Sequence, residues 1–322
     1  LLTIGSLSMV IGGYSAPLQF LILVVGASKV DFDSISRLYF WVCTFLTVVT
    51  FLSGLSGLIA NVAIPRGDGI AYSYGFFYIT EFSAHVLSIT LVWFYLNRSN
   101  LSLRVYITAI IWSASVFLLT NGKMSFLLSL IVMAMIAISD ARRRKEGASY
   151  CFLPALRFSF IAMATVSILL MLVFSDSGLL AGLNTLFTNR LHYAHEGFIR
   201  YGVTLFGQQI DMLGWGGGRS VQYADYFYID CSYVNILLRF GCLVLLVVLA
   251  VCSLPIFRIR KSSGVIALLL CGVALASFIN EHLMSVSYNI FALMAFAECS
   301  DYEPVHFQKN KCVLKGGCHG EQ

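Results

Sequence analysis

Long apolar runs alternate with short polar breaks along almost the whole chain, near residues 5–27, 38–60, 77–96, 105–120, 124–139, 158–175, 233–254, 264–280 and 286–298. An α-helix needs about 20 mostly apolar residues to cross the hydrocarbon core of a bilayer, so the pattern predicts nine candidate spans. Several runs fall short of a full crossing, which leaves tilt, extension into the flanks or re-entrant turns as their solutions. One break differs from the rest: 57 residues, from Asp176 to Ser232, separate the sixth run from the seventh. Connections longer than roughly 12 to 15 residues are usually functional or disordered, and the tyrosines, phenylalanines and glycines of this one argue for packing.

Composition sharpens the class. With 58% hydrophobic and 11% charged residues and a mean hydropathy of +0.82, the chain lies outside the soluble range and inside the membrane class. The expected fold is all-α, a polytopic transmembrane helix bundle with one long extracytoplasmic loop that contains a short amphipathic helix. Residues 1–175 hold the N-terminal transmembrane helices, 176–232 the loop, 233–298 the C-terminal transmembrane helices and 299–322 a cytoplasmic tail. The chain opens at Leu1 inside an apolar run without a basic segment or cleavage site, so a signal peptide is not expected. The start reads as a truncation, and the span count is a lower bound.

Nine cysteines imply no disulfide framework, because Cys43, Cys242, Cys252 and Cys271 fall in apolar runs, where a thiol acts as a small hydrophobe. Cys312, Cys318 and His319 do not have zinc-site spacing. Neither a metal nor a cofactor is expected, and nothing suggests a nucleic-acid partner.

Basic residues accumulate in cytoplasmic loops. Fixing the run Arg142 to Lys145 inside and alternating from there puts 15 of the 21 basic residues on the cytoplasmic side. The exceptions are Arg66, Lys123, Arg190, Arg200, Arg219 and Arg239. A long loop translocates whatever its charge, which accounts for Arg190, Arg200 and Arg219 one by one; Arg66 has Asp68 nearby, so a surface pair and a functional role are equal readings for it. Together the six suggest an outward cationic site for an anionic ligand.

Inside the loop, Thr188 or Asn189 can cap a helix on which Leu191, Ala194, Phe198 and Tyr201 recur at helical spacing until Gly202 stops it. His192, Glu196 and Arg200 form its polar stripe, read as a solvated face with a Glu196–Arg200 pair. Arg190 stands apart, in the first turn near backbone N–H groups that attract anions, beside Gly197, which leaves room for a ligand. The later GWGGG (Gly214 to Gly218) reads as a flexible hinge. Two ionisable pairs interrupt apolar runs: Glu81 with His85, and Glu281 with His282. Charge within apolar segments faces a cavity or a partner, and the polar break Asn280 to Asn289 has the look of a discontinuous element lining a site.

Four segments, RGDGIAYSYGFFYITEFSAHVL, LFTNRLHYAHEGFIRYGVTLFGQ, YFYIDCSYVNILLRFG and NEHLMSVSYNIFALMAF, together resemble the Wzy-type polymerases of bacterial capsule, exopolysaccharide and O-antigen synthesis, over about Tyr14 to Phe296. The sequence departs from the family pattern at Ile79-Thr80-Glu81, where a Pro-Thr-Asp type is expected, and at Lys123, where Arg is commoner. The resemblance implies a metal-independent glycosyltransferase in the bacterial inner membrane, facing outward, that joins undecaprenyl-diphosphate-linked oligosaccharides. A chain-length regulator and a flippase of the same pathway are the implied protein partners. Arg190, Arg66, Arg200 and Lys123 are then the diphosphate-binding candidates, since departure of the lipid diphosphate develops negative charge. His282 or Glu281 is the general base, and Tyr201, Asp230 and Tyr233 are candidates for sugar contact. The rival expectations are a glycan transferase of the O-antigen-ligase type and a lipid or polysaccharide transporter.

Overall fold

A computed structural model of the chain describes residues 1–66, 69–146, 153–214, 216 and 226–302. It is 68% helix with few strands, in keeping with the all-α expectation. The first apolar run does not form one span. It folds into α1 (Leu2–Gly12) and α2 (Ala16–Gly26), joined at Gly13, whose φ of +77° suits glycine and whose N–H returns to the Met9 carbonyl. The helices pack side by side, with Gly5 so close to its partner that a Cβ there would lie 3.1 Å from the Leu18 Cα. Eleven residues of helix rise about 16 Å, roughly half the hydrocarbon thickness, so this hairpin is not a single crossing.

Helix α3 (Phe32–Leu55) starts at Asp31, whose carboxylate accepts the Asp33 and Ser34 N–H groups at 3.3 and 2.9 Å. A two-stranded antiparallel hairpin follows, β1 (Ala63–Arg66) with β2 (Gly69–Tyr72). Helices α4 (Glu81–Leu96), α5 (Leu103–Thr120) and α6 (Lys123–Glu146) pack as neighbours through short connections. Among the described residues, three helices are long and apolar enough to cross a membrane: α3, α5 and the Lys123–Arg143 part of α6. Their surfaces invert the soluble pattern. Trp41 on α3 is 70% exposed and Leu118 on α5 is 81% exposed, while Ser83, Ser113 and Ser125 are buried between helices. Small hydroxylated residues let helix backbones approach and hydrogen-bond across the interface; here Trp112 Nε1 donates to Thr90 Oγ1 at 3.0 Å, with Ser113 Oγ 3.5 Å from the same oxygen.

After α7 (Leu153–Leu156) and α8 (Ser159–Leu172), the long break folds into two helices, α9 (Gly178–Leu186) and α10 (Arg190–Tyr201). Helix α10 has the expected bounds and ends at Gly202, φ +65°, and Asn189 holds the N-cap position, as one of the two expected candidates, but makes no side-chain cap hydrogen bond. Asn189 is left-handed, at φ +64°, and the cap comes from α9: Asn184 Oδ1 accepts the His192 N–H at 3.1 Å. Gly197 also has a different use from the one expected. A Cβ there would lie 2.9 Å from Ile229 Cδ1 and 3.0 Å from Leu238 Cδ1, so the missing side chain admits protein packing.

The expected span 233–254 is broken into α11 (Ser232–Arg239) and α12 (Cys242–Arg258), with Gly241 at φ +91°. The break frees backbone groups that burial forbids leaving unpaired, and several find partners from distant parts of the chain. Gln208 Nε2 donates to the Leu238 carbonyl, the Gln208 N–H to Arg239, and Ser8 Oγ to Phe240, while the Cys242 N–H reaches the Thr204 carbonyl. The stretch from Thr204 to Gln208 and the α1 helix are therefore the other half of this junction.

Helix α13 (Gly264–Ile279) ends at Asn280, and the expected last span, 286–298, is not an α-helix. The chain returns through turns and a 3-10 helix, Ile290–Ala295, every residue of which is buried. At its end Glu298 pairs with the start of α3: Phe32 N–H to Glu298 O at 2.8 Å, Glu298 N–H to Val30 O at 2.9 Å. Irregular backbone of this kind is tolerated where protein covers it, and α2, α3 and α12 supply the cover. The same end of the molecule carries Arg98 between Asp33, at 2.8 Å, and Asp301, at 2.9 Å. The expected cytoplasmic tail lies almost wholly outside the described residues, as do Cys312, Cys318, His319 and Arg219.

Candidate functional site

At the opposite end from Arg98, the start of α4, the approach to α11 and the end of α13 enclose a cavity of about 250 Å³. Three segments build its walls. The first, Phe77 to Glu81, is held by the turn at Tyr74 and Gly75, which packs so tightly on α3 that a Cβ at Gly54 would overlap the Tyr74 carbonyl. Glu81 steadies this wall by accepting the Phe77 N–H at 3.1 Å. The second wall joins Met212 to Gly214 with Tyr226 to Asp230, clamped by paired backbone hydrogen bonds between Leu213 and Phe227 at 2.9 and 3.1 Å. Gly214 and Gly216 let this wall lie against the rings of Tyr228 and Phe77. Close approach is what these two glycines allow; the other residues of the expected hinge, Trp215, Gly217 and Gly218, lie outside the described residues. The third wall is Asn280, Glu281 and His282, tied to α11 by Ser232 Oγ, which donates to the Asn280 carbonyl and accepts the Leu283 N–H at 3.1 Å.

Glu281 is the most constrained group in the cavity. The Tyr228 hydroxyl donates to its Oε1 and Asn235 Nδ2 to its Oε2 at 3.1 Å. Burial pushes its pKa up to about 7, with Asp230 and Glu81 adding in the same direction against the Tyr228 hydrogen bond and Arg239. Burial also raises the Tyr228 phenol, so at neutral pH it remains a donor. His282 is driven the other way, to about 4, by burial and by His85, and is neutral. Its ring stacks on Tyr288 at 3.7 Å, and Tyr288 stacks in turn on His85 at 4.1 Å. Among the described residues neither His282 ring nitrogen has a hydrogen-bond partner, and the residue lines the cavity.

The structure brings some of the expected site residues together and separates others. Glu281, His282 and Asp230 line the cavity. Arg190 stands behind Asp230, with Nε 3.2 Å from Asp230 Oδ2, an ion pair by distance whose N–H is not aligned for a hydrogen bond. Another of its nitrogens donates to Thr188 Oγ1 at 2.9 Å. Tyr233 does not face the cavity: it is 0% exposed, and its hydroxyl donates to the Ala274 carbonyl at 2.9 Å. Tyr201 packs on the core beside Phe227 and does not line the cavity. Arg200 pairs with Glu196 on the surface, as a solvated stripe should, and Lys123 is exposed at the start of α6; neither lines the cavity. Arg66 ends β1 opposite Gly69, and its side chain is outside the described set. Among the described residues, then, no Lys or Arg lines the cavity, and the expected cationic pocket has acidic walls.

Tyr226, Tyr228, Tyr288 and Asn235 were not singled out from the sequence. A signal for two of them existed: Tyr226, Tyr228 and Asp230 alternate with Phe227 and Ile229, and alternate residues of an extended segment share a side. Phe227 and Ile229 are buried, while the other three line the cavity. No signal joins Tyr288 to His85 and His282, because only the return of the chain after α13 brings them together. No family model matches the chain, and no curated protein and no solved structure matches it either.

Proposed function

We propose that this chain is a polysaccharide polymerase of the bacterial inner membrane, joining undecaprenyl-diphosphate-linked repeat units at the outer face. The observation that carries the reading is the meeting of the segments that resemble Wzy-type polymerases. Three of them, distant in sequence, supply the cavity walls through Glu81, Tyr228 with Asp230, and Glu281 with His282, and the fourth reaches Asp230 through Arg190. In this reading the cavity end faces outward, and α3, α5 and α6 are among the membrane spans.

The reaction joins an acceptor hydroxyl oxygen to the anomeric carbon of the donor sugar. The bond from that carbon to the lipid diphosphate breaks, and the hydroxyl proton goes to the protein. A base works best with a pKa near the working pH, which favours Glu281, at about 7, over His282, at about 4. His282 then accepts a hydrogen bond from the sugar. Arg190 and Arg66 stabilise the departing diphosphate, Arg190 exchanging Asp230 for the phosphate oxygens as they arrive. Deletion of the gene, followed by analysis of lipid-linked intermediates, tests the proposal. Single repeats on lipid with no polymer are expected; long lipid-linked chains would make the chain a ligase, and unchanged polymer would end the proposal.

A further inference from the structure

The cavity walls and the cations around them differ in charge, and this bears on which sugar can enter. Glu81, Asp230 and Glu281 line the cavity. Asp230 has Arg190 beside it, but among the described residues neither Glu81 nor Glu281 has an ion pair. Glu81 instead accepts a backbone N–H, and Glu281 accepts from Tyr228 and Asn235, so the partners of both are uncharged donors. The volume of about 250 Å³ suits one sugar ring and part of its neighbour and is too small for an oligosaccharide. Its walls combine what ring recognition uses: faces of Tyr226, Tyr228 and Phe77 for the apolar side of the ring, and carboxylate oxygens as acceptors for hydroxyl groups. His282, lining the same space without a hydrogen-bond partner among the described residues, adds a polar group that awaits one.

We infer that the cavity selects a sugar ring whose own substituents are neutral or amine-bearing and rejects uronic rings. The reason is pairwise. A carboxylate on the ring would sit within a few ångströms of Glu81 and Glu281 with no lining cation among the described residues to offset it, and a like-charge contact in a desolvated site is strongly unfavourable. A hydroxyl at the same position donates to those oxygens, and an ammonium group pairs with them. This deepens the polymerase reading by naming the chemistry of the ring next to Glu281, and it rests on that reading for the step in which the ring takes part.

The test is ligand binding, independent of polymer formation. Full-length protein in lipid nanodiscs is titrated with the methyl glycosides of glucose, glucosamine and glucuronic acid, and binding is read by saturation-transfer NMR. The glucoside and glucosaminide are expected to bind, and the glucuronide at least tenfold more weakly. The Glu81→Gln/Glu281→Gln protein, which leaves the Asp230–Arg190 pair in place, is expected to bring the glucuronide within about twofold of the glucoside. A wild-type protein that binds the glucuronide as well as the glucoside, or that binds no ring above a cyclohexanol control, overturns the inference without needing any variant. If the rings are sorted as expected but gene deletion leaves polymer intact, the polymerase reading falls and the ring selectivity stands.

Discussion

Replacing Glu281 by Gln isolates what its burial does to the protein. In the folded state the carboxyl has a pKa of about 7 against 4.5 for the free group, with burial as the leading cause. The native state therefore holds a proton that the unfolded chain has already lost between pH 4.5 and 7, and stability must fall as pH rises through that window. At about 1.4 kcal/mol per unit, the full loss is about 3 kcal/mol. The Glu281→Gln protein has no such proton, so the gap in melting temperature between it and wild type should move in its favour as pH rises from 4.5 to 7 and level off above. A constant offset is expected on top, because the introduced amide presents a donor where Asn235 Nδ2 also donates. Only the pH-dependent part reports on the pKa. Tyr228→Phe supplies the second arm: removing a hydrogen bond to the charged form costs about 1.5 to 3 kcal/mol, or about 1 to 2 units. Its pH-dependent loss should then continue about 1 to 2 units further, to about pH 8 or 9. The assay is thermal unfolding in detergent over a pH series, with the protonated-carboxyl infrared band followed in parallel. If wild type and Glu281→Gln melt with the same pH profile, Glu281 is not a buried acid titrating near neutrality and the choice of base collapses with it.

Three further outcomes follow from the geometry. In Arg98→Ala, Asp33 and Asp301 lose their shared partner in a partly buried setting; a loss of about 3 kcal/mol is expected, read as a lower melting temperature that Arg98→Lys restores only in part. In Gly241→Ala, at φ +91°, the new Cβ would overlap the Leu205 carbonyl, backbone that cannot swing aside. A loss of at least about 2 kcal/mol is expected, with faster proteolysis between Thr204 and Gln208, whereas Gly202→Ala, with open space around its Cβ, should show only the cost of its positive φ. Under the polymerase proposal, Arg190→Ala and Glu281→Gln should each abolish polymer at normal membrane levels, and Arg190→Lys should rescue it poorly because a point charge replaces a fork. Full-length polymer from either of the first two removes the site assignment.

Hydrophobic patterning alone was enough for the helical class, the three long helices and the bounds of α10, because each depends on a local period or on a nearby stop such as Gly202. It was enough, too, to mark Asn280 to Asn289 as a discontinuous element, since polar residues inside an apolar stretch declare themselves. Patterning failed where an apolar run has more than one way to be buried. The runs 5–27 and 233–254 are continuous in hydropathy, yet Gly13 and Gly241 bend both, and at Gly241 it is Gln208, Thr204 and Ser8 that satisfy freed backbone groups. Those partners are distant in sequence, so no local rule finds them. The site divides in the same way. Glu281 and His282 were visible as ionisable residues interrupting apolar runs and Arg190 by its place in the first turn of α10, whereas Asp230 was a candidate only for sugar contact through the family resemblance. That Arg190 faces Asp230, that Tyr233 is wholly buried, and that the cavity walls are acidic were decided by the tertiary fold, because charge in a cavity depends on which segments meet there and not on how many cations each carries.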